Sequence, residues 1–142
     1  MTANIAAPAG AAPAAPSRAF LMPEPDEEFL DANYPGWETI MQGATPWLIL
    51  NHFPIPEGYN HRVVKAAIQI PSGYPNGKLD MVYFLPGLAR TNDRPIPALS
   101  AQVIQGQTWQ RWSRHYQWRA GIDDLVTHIE RIKAWLEDQL SR

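Results

Sequence analysis

The sequence predicts an α+β domain in which a four-stranded antiparallel meander is accompanied by a short N-terminal helix and a long C-terminal helix. Two observations lead to this prediction. Between residues 37 and 85, apolar residues alternate with a period of two in segments that are separated by turn-forming residues. Between residues 122 and 140, apolar residues recur at steps of three and four, which is the spacing of a helix that buries one face.

The N-terminal segment differs in composition from the rest of the chain. Residues 1–18 are mostly alanine and proline, and they lack the basic start and apolar core of a signal peptide. We expect them to form a disordered or polyproline-like tail. Residues 19–142 are then expected to form a single domain, which at this size can bury a core without a disulfide or a metal ion.

The helices are indicated by their charges and their spacing. In PDEEFLDANY (residues 25–34) the acidic residues come early, where the helix dipole favours them. In the last segment one helical face is expected to carry a stripe of apolar residues, with His128 at its boundary: Ile122, Leu125, Ile129, Ile132, Leu136 and Leu140. This stripe predicts that the long helix packs on one face of the sheet.

Four segments are predicted to be the strands of the meander: WETIM (37–41), PWLILNHF (46–53), HRVVKAAIQI (61–70) and KLDMVYFL (78–85). In the second strand, alternation places Trp47, Ile49 and Phe53 on one face. In the third strand one face is apolar. The other face, which we expect to meet solvent or a partner, carries Val63, Lys65, Ala67 and Gln69.

Residues 86–107 are predicted to be an irregular crossover, because Pro95 and Pro97 interrupt any regular helix or central strand. A long irregular segment in a compact domain is often functional.

Composition excludes several functions. The chain has no cysteine, so thiol nucleophiles, disulfides and thiolate metal sites are excluded. The formal net charge of -2 argues against general attraction to nucleic acid or to an anionic membrane. No apolar run approaches the roughly 20 residues that span a bilayer. The four histidines are scattered and form no close ligand pair, so we predict no metal site. We also expect no cofactor. We expect a soluble, cytoplasmic protein.

The segment TWQRWSRHYQW (residues 108–118) is unusually rich in aromatic and basic residues. Its large side chains are consistent with a packed clasp before the last helix, or with interface hot spots. We expect Trp118 to be in the core and leave Trp109 and Trp112 open between these two roles. Interleaved arginines and aromatics also suit single-stranded nucleic acid. A third interpretation is an enzyme in which His115 acts as a base for Ser113.

The order of these segments resembles the ubiquitin-conjugating fold. More closely, GYP…LDMVYF.P.L followed by G.TWQRWSRHYQW..GIDDL.THI resembles a bacterial family of conjugating-enzyme-like proteins, over roughly residues 26–140. Members of that family are encoded beside ubiquitin-like proteins, their activating enzymes and peptidases. The resemblance implies a UBC-like fold and a place in a ubiquitin-like modification pathway, with a link to antiviral defence.

The chain departs from the catalytic members of that superfamily in two places. The segment LPGLARTND (residues 85–93) has no His-Pro-Asn turn, and the position expected for the catalytic cysteine falls at about Trp109 or Gln110. Since a thioester relay needs a thiolate, the ordinary conjugating reaction is excluded.

The resemblance therefore implies a non-catalytic adaptor that binds a ubiquitin-like (β-grasp) protein or its activating enzyme. The candidate binding residues are Val63, Lys65, Ala67, Gln69, Trp109, Arg111, Trp112, Arg114 and His115. Two alternatives remain: an enzyme that carries the modifier as an oxyester on Ser113 with His115 as the base, and a small module that binds single-stranded nucleic acid.

Overall fold

The computed structural model describes residues 15–142, which form two helices and six strands. In chain order the elements are α1 (Glu24–Asn33), β1 (Glu38–Gln42), β2 (Thr45–Pro54), β3 (Val63–Gln69), β4 (Val82–Leu85), β5 (Leu99–Ile104), β6 (Gln107–Trp112) and α2 (Leu125–Leu140). The predicted α+β class is confirmed. Most of the predicted tail, residues 1–14, lies outside the described residues.

The sheet is larger than the predicted four-stranded meander. Its strand order is β1-β2-β3-β4-β6-β5, and every neighbouring pair is antiparallel. The first four strands follow the predicted meander, but a hairpin of β5 and β6 extends the sheet beyond β4. The prediction of an irregular crossover through residue 107 is therefore wrong after Pro97. A two-residue turn closes the hairpin, with positive φ at Gln105 and Gly106.

The main core lies between the sheet and the helices. From α2 it contains Leu125, Ile129, Ile132 and Leu136, which are all buried, as the predicted stripe requires. Ile122 is an exception, since 62% of it is exposed. The helix begins only after Asp124, whose carboxylate accepts from the Thr127 amide N–H in a capping box. Ile122 therefore precedes the helix that its spacing predicted.

A second apolar cluster lies on the other face of the sheet. It consists of Trp47, Ile49, Ala67, Tyr83, Ile104 and Trp109. Ala67 is on the face that the alternation predicted, but it is fully buried, so it cannot be a contact residue of an open surface. Phe53 is in the main core and not with Trp47 and Ile49, because an irregularity in register between Leu50 and Phe53 shifts the alternation.

This second cluster is covered because the sheet curls until its two ends meet. The side-chain amide of Gln42, at the end of β1, donates to the carbonyl of Val103 at 2.6 Å and accepts from the amide N–H of Gln105. One side chain thus links the first strand to the β5–β6 hairpin. We call this pair of hydrogen bonds the Gln42 bridge.

Replacing Gln42 with methionine removes both hydrogen bonds of the bridge while keeping a side chain of similar length. A hydrogen bond typically contributes about 1 kcal/mol, so the amide of Gln105 is expected to exchange with deuterium roughly five times faster. Gln107→Met, at an exposed position beyond the turn, is the matched control. Unchanged exchange at Gln105 in the Gln42 variant would show that the bridge does not hold the sheet closed.

The chain contacts the sheet from Ser17 onward. The amide N–H of Ser17 donates to the Glu38 carboxylate, and Arg18 forms a parallel bridge with Thr39. The Arg18 guanidinium lies 3.4 Å from the centre of the Trp37 ring. This segment covers the outer edge of β1. Within residues 15–142, neither helix has the length and apolar character needed to cross a bilayer.

Candidate functional site

The candidate site is the surface formed by β6 and the loop that follows β4, where the resemblance places the catalytic cysteine and asparagine. The two positions expected for the cysteine have other roles. Trp109 turns into the second cluster and is 4% exposed. Gln110 projects from the opposite face of β6, toward Leu88. Neither side chain has a nucleophilic atom.

The amide of Gln110 holds the loop after β4 against the sheet. Its Oε1 accepts from the Leu88 N–H at 2.8 Å and from the Trp112 indole at 2.9 Å, and its Nε2 donates to the Leu88 carbonyl. The loop passes so closely that a Cβ added to Gly87 would lie 3.1 Å from the Gln110 side chain. Gln110 therefore acts as a structural tether that fixes the loop after β4 on the sheet.

Of the three tryptophans in the motif, two are buried and the third is partly buried. Trp112 is fully buried in the main core, with its ring 5.6 Å from Phe84 in an edge-to-face arrangement. Trp118 packs against the same core, and its indole donates to the carbonyl of Pro75. The motif thus forms a clasp between the sheet and α2. Burial places Trp109 and Trp112 outside any exposed binding surface, contrary to the interface alternative.

The arginines of the motif bind groups of the protein itself. Arg111 donates from Nε to the Ser100 hydroxyl at 2.9 Å. Arg114 lies 4.9 Å from the centre of the Trp112 ring and donates to the carbonyl of Pro97 and the side chain of Gln139. Both arginines are partly exposed. Both guanidinium groups therefore form hydrogen bonds within the fold, and Arg114 also packs over an aromatic ring.

His115 is paired with a carboxylate that the sequence did not reveal. Its Nδ1 lies 2.9 Å and 3.0 Å from the two carboxylate oxygens of Asp80, while Lys78 Nζ is 3.9 Å from the same carboxylate. The imidazole is exposed. Between residues 15 and 142, no hydrogen bond joins Ser113 to His115. The Ser113 N–H donates to the Ala98 carbonyl. Asp80 thus orients His115, but His115 is not hydrogen-bonded to Ser113 in the described residues.

His128 is fully buried, which corrects its expected place at the helix boundary. Its Nε2 donates to the Met81 carbonyl at 2.9 Å, so Nδ1 accepts from the Tyr116 hydroxyl at 2.8 Å. Desolvation lowers the pKa of His128 to about 4, against the opposing influence of the Met81 hydrogen bond and of Asp80. Burial also raises the pKa of Tyr116. Both side chains are neutral at pH 7, and their hydrogen bonds join α2 to Met81, directly before β4, and to the segment after β6.

The predicted binding face divides into exposed and buried residues. Val63 is 55% exposed, and Lys65 and Gln69 are also exposed, while Ala67 between them is buried. No group of three or more histidine or acidic side chains is arranged to hold a metal ion in the part of the chain that the structure describes.

The order of the elements, with both helices on one face of an antiparallel sheet, agrees with the E2-like class that the motifs indicated. Residues 22–139 match the model of a family described as Prokaryotic E2 family E, and the chain belongs to that family. The predicted membership of a prokaryotic E2-like family is thus confirmed. The searches of curated proteins and of solved structures gave no match.

Proposed function

We propose that the protein is a non-catalytic adaptor that binds a ubiquitin-like protein, or its activating enzyme, in a bacterial modification pathway that acts in antiviral defence. The observation that carries this proposal is membership of an E2-like family by a chain without cysteine. The positions expected for the cysteine hold a buried tryptophan and a glutamine that tethers a loop. A fold built for transferring a modifier is then used to hold a partner.

The surface that best fits a partner is the exposed part of the curled sheet. Lys65 lies opposite Leu85 in the register of β3 and β4, and Val63 is an exposed apolar residue at the start of β3. Gln69 and the partly exposed Arg111 lie on the same face. Apolar area bordered by polar and basic side chains is typical of a protein interface.

The test is co-purification of a co-expressed ubiquitin-like protein with tagged wild-type protein and variants. The double variant Val63→Glu, Lys65→Glu is expected to weaken retention at least tenfold, since it places two carboxylates at the proposed contact. Lys133→Glu, on the exposed surface of α2, is the matched charge-reversal control and is expected to bind normally.

Two results would contradict the adaptor role. One is failure of the wild-type protein to retain either the ubiquitin-like protein or the activating enzyme. The other is a covalent adduct of the ubiquitin-like protein on a side chain of this protein, because such an adduct would make it a carrier.

The Asp80–His115 pair favours a second candidate function, an oxyester carrier on Ser113. Asp80 provides the group that orients a basic histidine. This alternative predicts an adduct that hydroxylamine cleaves and thiols do not, and that Ser113→Ala and His115→Gln both abolish. Mass spectrometry of the protein incubated with ATP, the activating enzyme and the modifier distinguishes the two functions.

A further inference from the structure

The two edges of the sheet differ in how they are covered. At the β1 edge, the Thr39 N–H donates to the Ser17 carbonyl, and the Thr39 carbonyl accepts from the Ala19 N–H. At the β5 edge, no strand among residues 15–142 pairs with the outer side. Open edges readily pair with a further strand, and proteins usually protect them with charged residues or proline. The strand β5, LSAQVI, has neither.

The hairpin determines which main-chain groups of β5 face outward. The Ser113 N–H donates to the Ala98 carbonyl, which sets the alternation of hydrogen-bonded pairs between β5 and β6. Leu99, Ala101 and Val103 therefore direct their N–H and C=O groups away from β6. Within residues 15–142, no other main-chain group bonds to those of Leu99 or Ala101.

The open part of this edge is limited at both ends. The Val103 carbonyl is already used, because it accepts from Gln42 in the Gln42 bridge. At the other end Ala98 has a positive φ of 59°, which ends the extended backbone. The open segment therefore consists of residues 99–101, with Ser100 at its centre.

A segment with this symmetry matches a second copy of itself. When two β5 strands lie antiparallel with Ser100 opposite Ser100, Leu99 of each copy faces Ala101 of the other, and both pairs exchange main-chain hydrogen bonds. We propose that the protein associates with a second copy of itself through β5, about a two-fold axis at Ser100. The two six-stranded sheets then form one continuous sheet.

The side chains of β5 suit pairing with themselves. In a two-fold contact each residue near the axis meets a residue from the same strand, so a charged residue there would face a like charge. β5 has no charged residue. Ala101 and Val103 are exposed on one face, with Val103 52% exposed, so the contact also covers apolar surface.

Arg111 opposes the association and gives it a recognisable salt dependence. Its Nε donates to the Ser100 hydroxyl at 2.9 Å, so each copy brings one positive charge toward the axis. Dissolved salt screens the repulsion between two exposed charges. The association is therefore expected to strengthen as the salt concentration rises, in contrast to a contact held by ion pairs.

The association goes beyond the adaptor role and does not require it. Lys65 is not part of the contact, because β4 and β6 lie between β3 and β5 in the sheet. A dimer therefore presents the surface around Lys65 twice. A partner that binds both surfaces at once would gain apparent affinity without any new contact.

A single introduced thiol tests the axis directly, because the chain has no cysteine. In Ser100→Cys the two thiols would face each other in a non-hydrogen-bonded pair, where Cα atoms are about 4.5 Å apart and a disulfide fits. In Gln102→Cys, on the same face, the Cα atoms would be roughly 14 Å apart. With oxidised glutathione, Ser100→Cys is expected to form the crosslinked dimer at least ten times faster, after correction for the alkylation rate of each thiol. Equal rates, or no crosslink in either variant, would refute the two-fold pairing.

Sedimentation measures the association of the wild-type protein from about 10 µM to 1 mM, since a contact this short is expected to be weak. The dimer fraction is expected to rise with protein concentration. Ala101→Pro removes an N–H that points to solvent in one copy, so the variant is expected to remain folded by circular dichroism and to stay monomeric. Val103→Pro removes an outward N–H beyond the open segment and is expected to dimerise like the wild type. A wild-type protein that is monomeric throughout would overturn the proposal.

Hydrogen exchange distinguishes a second copy from other strands at this edge. Protection of the Ala101 amide is expected to increase with protein concentration. Equal protection at every concentration would show that a segment of the same chain covers the edge, and the proposal would be wrong. Protection that appears only when a ubiquitin-like protein is added would also contradict it, because the edge would then bind a different protein.

Discussion

Replacing Trp112 with alanine is expected to lower the free energy of unfolding by about 3–5 kcal/mol, the range found for large aromatic residues removed from a core. The indole is fully buried between Phe84 and Tyr59, and its N–H donates to Gln110. Its loss therefore leaves a cavity and also loosens the amide that holds Leu88. Since small domains are stable by about 5–15 kcal/mol, this one change removes much of the total. Urea denaturation followed by circular dichroism measures the effect.

Trp118→Ala is the matched control, because the same residue type is removed from a partly exposed position. The decrease in the free energy of unfolding caused by Trp118→Ala is expected to be clearly smaller than that caused by Trp112→Ala. Trp112→Phe, which keeps a ring and removes the indole N–H, is expected to fall between them. Equal effects of alanine at residues 112 and 118 would show that the motif does not depend on the burial seen in the structure.

Acidification is expected to destabilise the protein through His128. The pKa of this residue is lowered to about 4 in the folded protein, whereas an unfolded histidine titrates near its ordinary value of 6.5. Between these values the unfolded chain binds a proton that the folded chain excludes, so stability falls as the pH decreases. This difference in pKa corresponds to about 3 kcal/mol of the free energy of unfolding, and that contribution is fully lost below pH 4. The free energy of unfolding measured from pH 7 to pH 4 tests this expectation.

His128→Gln isolates the contribution of His128 from those of other titrating groups. Burial raises the pKa of Asp26, which favours the folded state at low pH. Hydrogen bonds from Arg119 lower the pKa of Asp123, which has the opposite effect. Because both carboxylates remain in the variant, the difference in the free energy of unfolding between wild type and variant measures the contribution of His128. The variant is expected to be less stable at pH 7, with the difference shrinking toward pH 4. A difference independent of pH would show that His128 is not buried in its neutral form.

Local periodicity predicted those elements whose partners lie nearby in the chain. The strands of the meander and α2 bury continuous apolar faces. The pattern of each face is visible in the sequence of that element alone. The hairpin of β5 and β6 was missed because Leu99–Ile104 has only a weak alternation and follows two prolines. Its place beside β4 depends on pairing with Tyr83 and Phe84, which no local pattern contains.

The candidate site shows the same limit. The exclusion of thiol chemistry required only composition, and the aromatic clasp followed from large side chains placed before a helix. The partner of His115, by contrast, is 35 residues away in Asp80, and the buried acceptor of His128 is a main-chain carbonyl. Arg90 was not singled out at all, since a single arginine in a loop carries no sign of its burial. Such pairs arise only from tertiary packing.

The tether made by Gln110 also limits how this chain can change. A thiol introduced at residue 110 would leave the N–H and C=O of Leu88 without their side-chain partners, and the segment from Pro86 onward would have to find another course. A reactive thiol at residue 110 and the present course of the loop after β4 therefore exclude each other. No single substitution can introduce the thiol and also keep the loop in its place.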